Sequence, residues 1–172
     1  RSFDDTMPEE INRKLIDQMS HILFPPTRFD FENLKRDNCL KSKRTFIVGN
    51  TITDVLKEYI PAANKSKILE KLKLTKKKYF LVTLHRPESV DIKKNLSSLL
   101  KTLKVLYKKY KYPIIFPIHP RTKNNMKKLN LSFDKNIKII EPLEYLEFLK
   151  LMKDSKLILS DSGGIQEEAS IL

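Results

Sequence analysis

Short apolar runs alternate with helical stretches along most of the chain. Five runs carry apolar residues on both faces, as in strands of a parallel sheet that helices cover on both sides. They are Thr45–Val48, Tyr79–Leu84, Ile114–Ile118, Ile137–Ile140 and Leu157–Leu159. Helices are predicted at about Ile52–Tyr59 with Ser66–Leu72, Ile92–Tyr110, Thr122–Leu129 and Tyr145–Met152. The alternation predicts an α/β fold made of βαβ units around a parallel sheet.

The segment before this series has its own start signals. A helix is predicted from Pro8 to about residue 20, because Thr6 can cap it and Glu9 stands three residues later, as a capping box requires. Ile22–Phe24 is predicted to be a short buried strand, and a second helix is expected to follow a cap at Thr27. The capping box gives Glu9 a structural role that needs no chemistry.

A cluster of polar residues follows each of the five predicted strands. In open α/β sheets, ligands bind outside the carboxyl ends of the strands, so this edge is the candidate site. The clusters are Gly49-Asn50-Thr51, His85-Arg86-Pro87-Glu88-Ser89, His119-Pro120-Arg121-Thr122, Glu141-Pro142-Leu143 and Asp161-Ser162-Gly163-Gly164. His85 and His119 could donate to a phosphate or move a proton, or be ordinary loop residues.

The cluster after the fifth strand carries the sharpest chemical signal. The chain has only three glycines, Gly49, Gly163 and Gly164, so they are expected where the backbone needs them. A Ser-Gly-Gly turn that opens a helix suits a nucleotide diphosphate, although an ordinary tight turn has the same pattern. Glu168, one turn further, could accept hydrogen bonds from ribose hydroxyls or only favour the helix dipole. Phe148 lies on a helical stripe that usually faces a core, together with Tyr145, Leu149 and Met152.

Composition narrows the class of protein. The hydrophobic fraction of 40% and charged fraction of 32% fit a globular protein, and no apolar run is long enough to span a bilayer. The formal charge of +13 suggests nucleic-acid binding, but the lysines are scattered along the chain, which favours a solvated surface. The single cysteine, Cys39, excludes an internal disulfide and a Cys-based zinc cluster, so we expect a cytoplasmic protein. The start at Arg1 has neither Met nor a signal segment, so the chain is expected to be an excerpt.

Several motifs together carry a resemblance that covers nearly the whole chain. In order, they are Pro8-Glu9-Glu10-Ile11-Asn12-Arg13, Val48-Gly49-Asn50-Thr51, Leu84-His85-Arg86-Pro87-Glu88, Pro117-Ile118-His119-Pro120 and Asp161-Ser162-Gly163-Gly164-Ile165-Gln166-Glu167-Glu168. With these motifs the chain resembles the non-hydrolysing UDP-N-acetylglucosamine 2-epimerases. The resemblance implies a two-domain fold of the glycosyltransferase-B type, with the nucleotide sugar between two Rossmann-like halves. It implies that residues 1–50 end the N-terminal half and residues 51–172 form most of the C-terminal half.

The resemblance also implies roles for individual residues. It implies that Ser162, Gly163 and Gly164 hold the diphosphate and that Glu168 holds the ribose. It implies that Leu143 and Phe148 contact the uracil, with the Leu143 backbone reading its imide edge. His85 is implied to contact the diphosphate, and Glu9 to be one of the acidic residues of catalysis.

The activity implied by the resemblance is the interconversion of UDP-GlcNAc and UDP-ManNAc, by elimination of UDP and re-addition with inversion at C2. The sequence shows no metal-ligand cluster, and this reaction needs no redox cofactor. We expect no nucleic-acid or membrane partner, and the resemblance implies a homodimer and a place in polysaccharide biosynthesis. This chain by itself is expected to be inactive. The alternatives are a hydrolysing relative that releases ManNAc and UDP, a glycosyltransferase of the same fold, and a basic nucleic-acid-binding module.

Overall fold

Within the residues that the computed structural model describes, 7–40 and 44–172, the strands form two parallel sheets. The strands are β1 Ile22–Leu23, β2 Arg44–Thr45, β3 Phe80–Thr83, β4 Ile114–Pro117, β5 Ile137–Ile140 and β6 Leu157–Ser160. The helices are α1 Pro8–Met19, α2 Arg28–Arg36, α3 Ile52–Asn64, α4 Ile68–Leu72, α5 Pro87–Val90, α6 Lys93–Tyr110, α7 Pro120–Lys128, α8 Tyr145–Asp154 and α9 Gly163–Ile171. The chain divides into one unit up to Asp54 and another from Val55 onward. The boundary drawn at residue 50 from the sequence stays a prediction.

The first unit contains the two-stranded sheet and helices α1 and α2. As the sequence predicts, Thr27 caps α2: its Oγ1 accepts the backbone N–H of Asp30 at 3.2 Å. Helix α1 begins at Pro8 with Met7 at the cap position, and the predicted cap Thr6 lies outside the described residues. Leu23, Leu34 and Cys39 form the small core of this unit.

The prediction that Thr45–Val48 opens the long strand series is wrong. Strand β2 pairs in parallel with β1 in the first unit. The pairing continues beyond β2, because the N–H groups of Phe46 and Val48 donate to the carbonyls of Leu23 and Pro25 at 3.0 and 3.2 Å. Apolar composition correctly indicated an extended segment, but it holds no information about which strand that segment joins.

The second unit is a parallel four-stranded sheet in the order β5-β4-β3-β6. Only the central strands match the predicted burial on both faces: Phe80–Val82 in β3 and Ile114–Phe116 in β4 are buried. At one edge, β5 exposes Lys138, and at the other edge β6 exposes Leu157. The edge strands depart from the prediction because each has a pairing neighbour on one side alone within the described sheet.

Proline explains the helix boundaries that differ from prediction. Pro87 and Pro120 each stand at the first position of a helix, where a missing N–H removes no hydrogen bond, so α5 and α7 begin inside segments predicted to be loops. Helix α3 continues through Pro61 to Asn64, although the prediction ended it at Tyr59. Ala63, buried in the last turn of α3, offsets part of the cost of Pro61.

Among the described residues, none of the helices combines the length and the hydropathy needed to cross a bilayer.

Replacing Tyr79 by Phe is expected to lower the free energy of unfolding by about 1–3 kcal/mol. The Tyr79 hydroxyl is buried and donates to the carbonyl of Leu151 at 2.7 Å. That carbonyl lies in the last turn of α8, where helices lack internal donors, so the variant leaves it unpaired. Urea denaturation measures the loss, with Tyr110→Phe on a half-exposed tyrosine as control. Equal stability of both variants would contradict this assignment.

Candidate functional site

The carboxyl ends of β3 and β6 lie side by side at one edge of the four-stranded sheet. The register pairs Thr83 with Ser160, and their hydroxyl oxygens are 2.8 Å apart. Because parallel strands run in the same direction, the segments that follow them emerge at the same edge. The structure therefore brings together the clusters that begin at His85 and at Asp161.

Asp161 connects these two clusters. Its Oδ1 and Oδ2 accept the backbone N–H of His85 at 3.2 and 3.0 Å, and Oδ2 also accepts the N–H of Arg86 at 2.9 Å. Its Oδ1 lies 3.2 Å from Nδ1 of the His85 ring. Asp161 begins the motif Asp161-Ser162-Gly163-Gly164, and no role was predicted for its side chain. The sequence feature that could have identified it is a carboxylate directly after a predicted strand, at the edge where ligands bind.

His119 lies beside His85, with the two ring centroids 5.4 Å apart. Its Nδ1 accepts the backbone N–H of Arg121 at 3.1 Å, so the side chain caps α7. The buried Thr122 hydroxyl donates to the carbonyl of Leu84, next to His85 in the chain. The cluster after β4 is therefore a helix start that supports the segment carrying His85.

Ser162 stands at the cap position of α9, and its backbone N–H donates to Oγ of Ser160 at 3.0 Å. Its side chain makes no capping hydrogen bond to the described helix. The first backbone N–H groups of a helix have no internal partner, and the helix dipole is positive at this end. The start of this nine-residue helix can therefore bind an anion such as a phosphate.

Of the three glycines, only Gly49 has a backbone conformation that favours glycine. Gly49 has a φ of +81°, a conformation that other residues rarely adopt. Gly163 and Gly164 are not in that conformation, and a Cβ at either position would meet no atom of the described chain within 4 Å. The fold itself therefore does not require glycine at the start of α9, whereas the close approach of a ligand would.

Glu168 is paired with a residue that the sequence analysis placed in the core. The hydroxyl of Tyr145 donates to Oε1 of Glu168 at 3.2 Å, and the Tyr145 ring packs edge-on against Tyr59 with centroids 5.8 Å apart. Tyr145 is 37% exposed, which corrects the prediction that it faces the core. Burial raises the pKa of Glu168, and the hydrogen bond from Tyr145 opposes this by stabilising the charge.

The position of Glu168 in α9 argues against the alternative that its carboxylate only favours the helix dipole. The helix begins at Gly163, so Glu168 lies beyond its first turn, where the dipole acts most strongly on a carboxylate. The partly buried carboxylate is thus better suited to accept hydrogen bonds than to stabilise the helix end.

The two residues implied for uracil lie in and after the turn between β5 and α8. Leu143 is half-buried within that turn. Phe148 is also half-buried, while Leu149 and Met152 on the same helix are buried. Phe148 is therefore less enclosed than its helical stripe predicted.

Glu9 lies in the first unit, whereas the other predicted site residues lie in the second. It is exposed on the first turn of α1. The next residue, Glu10, is buried and accepts a hydrogen bond from Arg13 at 2.9 Å. This hydrogen bond, with the nearby Asp17 and Asp37 carboxylates, raises the pKa of the Arg13 guanidinium despite its partial burial. The acidic motif thus holds one carboxylate in an ion-pair cluster and one on the surface.

The described residues include no group of three or more His, Cys, Asp and Glu side chains that could hold a metal ion.

Comparisons with known proteins agree with this geometry. The family model described as UDP-N-acetylglucosamine 2-epimerase matches residues 1–172. UDP-N-acetylglucosamine 2-epimerase of Methanocaldococcus jannaschii is 47% identical over 180 residues, which cover 100% of this chain and 49% of that protein. UDP-2,3-diacetamido-2,3-dideoxy-D-glucuronate 2-epimerase of Pseudomonas aeruginosa is 37% identical, over 98% of this chain and 46% of that protein. The chain spans about half the length of these curated relatives.

A solved structure shows the same fold. The crystal structure of the M. jannaschii UDP-GlcNAc 2-epimerase in complex with UDP-GlcNAc and UDP matches 99% of this chain and 48% of its own length, with a TM-score of 0.89 and 46% identity. The α/β fold of the glycosyltransferase-B type that the resemblance implied is thereby confirmed. Because a family model matches the whole sequence and close relatives cover all of it, the chain belongs to the UDP-N-acetylglucosamine 2-epimerase family.

Proposed function

We propose that this chain forms the nucleotide-binding part of a UDP-GlcNAc 2-epimerase, an isomerase that interconverts UDP-GlcNAc and UDP-ManNAc. The observation that carries the proposal is the sheet edge where the turn at Ser162 opens α9 next to Asp161 and His85. The family match over residues 1–172 supports it, as does a relative whose structure holds UDP-GlcNAc and UDP. Because the chain spans about half of its relatives' length, the activity is proposed for a protein that also has the other half.

The diphosphate is proposed to bind at the start of α9. Free backbone N–H groups and the positive end of the helix dipole stabilise negative charge there, and the open space at Gly163 and Gly164 lets a phosphate approach the backbone. Elimination of UDP places additional negative charge on the departing diphosphate. Fixed donors at that position stabilise the transition state more than the bound substrate, which lowers the barrier.

The remaining parts of the nucleotide are proposed to bind along α8 and α9. Glu168 accepts hydrogen bonds from the ribose hydroxyls, and Tyr145 holds its carboxylate in place. The uracil contacts Phe148, and the backbone of Leu143 reads its imide edge. The half-burial of both residues supports this arrangement, because an exposed part of each is available to a base.

Glu9 is proposed to take part in proton transfer at C2 of the sugar. A weakly acidic C–H group needs a positioned base, and an exposed carboxylate outside the Glu10–Arg13 ion pair is a candidate for it. Elimination and re-addition change no oxidation state overall, so this chemistry needs no redox cofactor. A hydrolysing enzyme would instead release ManNAc, which product analysis distinguishes.

Titration of the 172-residue chain with UDP, UMP and uridine tests the proposed site. The expected order of affinity is UDP above UMP above uridine, with the largest amide NMR shifts at Gly163, Gly164 and His85. Equal binding of uridine and UDP, or UDP shifts confined to other residues, would contradict the proposal.

Replacing Glu168 by Gln is expected to weaken UDP binding about tenfold, because the ribose loses a charged acceptor worth roughly 1.5 kcal/mol. Stability should not fall. Since the folded pKa of Glu168 is raised, the folded chain holds the proton more tightly, and ionised Glu168 costs stability as pH rises above the ordinary glutamate range. Calorimetry measures the UDP affinity, and urea denaturation at several pH values measures the stability. The exposed neighbour variant Glu167→Gln should leave UDP affinity unchanged; a loss as large as that of Glu168→Gln would contradict the ribose assignment.

We further propose that the complete enzyme is a cytoplasmic homodimer that supplies sugars for polysaccharide biosynthesis. The sequence has one cysteine, Cys39, which allows no internal disulfide and supports a reducing compartment. Light scattering of the complete enzyme tests the dimer: a monomer at working concentration would contradict it.

A further inference from the structure

Asp161 lies at the proposed site, but the proposed function gives its carboxylate no role. Its side chain is only 11% exposed, at the end of β6, while the ring of His85 is 39% exposed. The pairing of Thr83 with Ser160 places Asp161 opposite the segment that follows β3. One carboxylate thus holds both the backbone and the ring of His85.

The contact between Asp161 and the ring fixes which nitrogen of His85 carries the proton in the neutral form. Nδ1 lies 3.2 Å from Oδ1 of Asp161. An unprotonated Nδ1 would direct a lone pair at a carboxylate oxygen, which is repulsive, whereas Nδ1–H is attracted to it. Neutral His85 is therefore protonated on Nδ1, and Nε2 is the basic nitrogen.

Two neighbouring side chains in the described part of the chain, those of His119 and Arg86, have polar partners of their own. The ring of His119 lies 5.4 Å from that of His85, and its own Nδ1 accepts the backbone N–H of Arg121. The guanidinium of Arg86 lies 3.7 Å from the carboxylate of Glu88.

We propose that Asp161 is a positioning residue that keeps the proton of neutral His85 on Nδ1 and so makes Nε2 the nitrogen that exchanges a proton with the diphosphate. This rests on the proposed function. When the C1–O bond breaks, the electron pair stays on the diphosphate oxygen, and the Nε2–H of the imidazolium donates to that oxygen. If the proton transfers, His85 is left neutral with its proton on Nδ1; the C2 proton goes to a separate base. Re-addition re-forms the C1–O bond, returns the proton from the diphosphate to Nε2 and adds a proton to C2 from the opposite face, so C2 is inverted.

A purely structural role is the competing explanation, since Asp161 also ties two loops through the N–H groups of His85 and Arg86. Asp161→Asn separates the two roles. The amide oxygen can still accept these two N–H groups, so the loops remain tied. The amide nitrogen then faces Nδ1 as a donor, which forces Nδ1 to accept and moves the proton of neutral His85 to Nε2.

Nitrogen-15 NMR of the histidines in the 172-residue chain measures this directly, at a pH where the imidazoles are neutral. Wild-type His85 is expected to show the Nδ1–H pattern and Asp161→Asn the Nε2–H pattern, with His85→Asn assigning the signals among three histidines. Asp134→Asn, a matched change in the loop before β5, should leave His85 unchanged. An Nε2–H pattern in the wild type, or the same pattern in both proteins, would overturn the proposal.

Measuring the UDP affinity of the same proteins tests whether the His85 tautomer affects binding of the diphosphate. Asp161→Asn is expected to weaken UDP binding about tenfold. The hydrogen bond from Nε2–H of His85 to the diphosphate is charge-assisted beside Asp161 and becomes a neutral one beside asparagine. A changed tautomer with unchanged UDP affinity would overturn the link to the diphosphate. If the wild-type chain failed to bind UDP but the tautomer changed as expected, the proposed function would fail while the positioning role of Asp161 stood.

Discussion

Gly163→Val is expected to weaken UDP binding more than about a hundredfold without destabilising the chain. A Cβ at Gly163 meets no atom of the described protein within 4 Å, and the residue is the first of α9, so the fold tolerates a larger side chain. The valine would instead occupy the space of the diphosphate and remove several backbone hydrogen bonds to a charged group, each worth roughly 1.5–3 kcal/mol. Calorimetry with UDP measures the affinity, and urea denaturation should show a stability change within about 0.5 kcal/mol.

Ser162→Ala is the matched control for this prediction. It removes one hydroxyl and leaves the backbone N–H groups of α9 in place, so UDP affinity should fall about tenfold or less. Unchanged UDP affinity in Gly163→Val, with the fold intact, would refute the assignment of the phosphate to this turn.

Glu9→Gln is expected to lower turnover about a hundredfold or more. The activity assay uses a chimeric enzyme in which this chain replaces the matching half of the M. jannaschii relative. Glu9 is exposed and Met7 occupies the cap position of α1, so removing the carboxylate charge should change stability little. A helix-capping role predicts the reverse, with about 1 kcal/mol of destabilisation and near-normal turnover.

Glu10→Gln provides the contrast within the same motif. Glu10 is buried and paired with Arg13, so losing its charge should lower the free energy of unfolding more than Glu9→Gln does. Normal turnover in Glu9→Gln, in a chimera that folds, would exclude Glu9 from proton transfer.

The parts of the fold that the sequence predicts well are those set by local composition. Continuous apolar runs identify β3 and β4 because both faces of these strands are buried. Thr27 predicts the start of α2 because a cap acts within three residues of its own position. Such signals need no knowledge of distant parts of the chain.

The parts that the sequence does not predict depend on pairing across long chain separations. The partner of β2 is decided by hydrogen bonds to residues some twenty positions earlier, which an apolar run cannot encode. Asp161 acquires its partners only because β6 lies next to β3, and Tyr145 meets Glu168 only because α8 and α9 are adjacent in space. Polar contacts of this kind define the candidate site, so the sequence indicated its location but not its supporting residues.

The most direct test of the proposed function is NMR of the sugars formed when the chimeric enzyme acts on UDP-GlcNAc in deuterated water. Removal and return of the C2 proton predict UDP-ManNAc with deuterium at C2, together with deuterium entering the UDP-GlcNAc pool. Free ManNAc with UDP as the final products would indicate hydrolysis instead. Epimer formation with the original hydrogen retained at C2 would contradict elimination and re-addition by exchangeable protein groups.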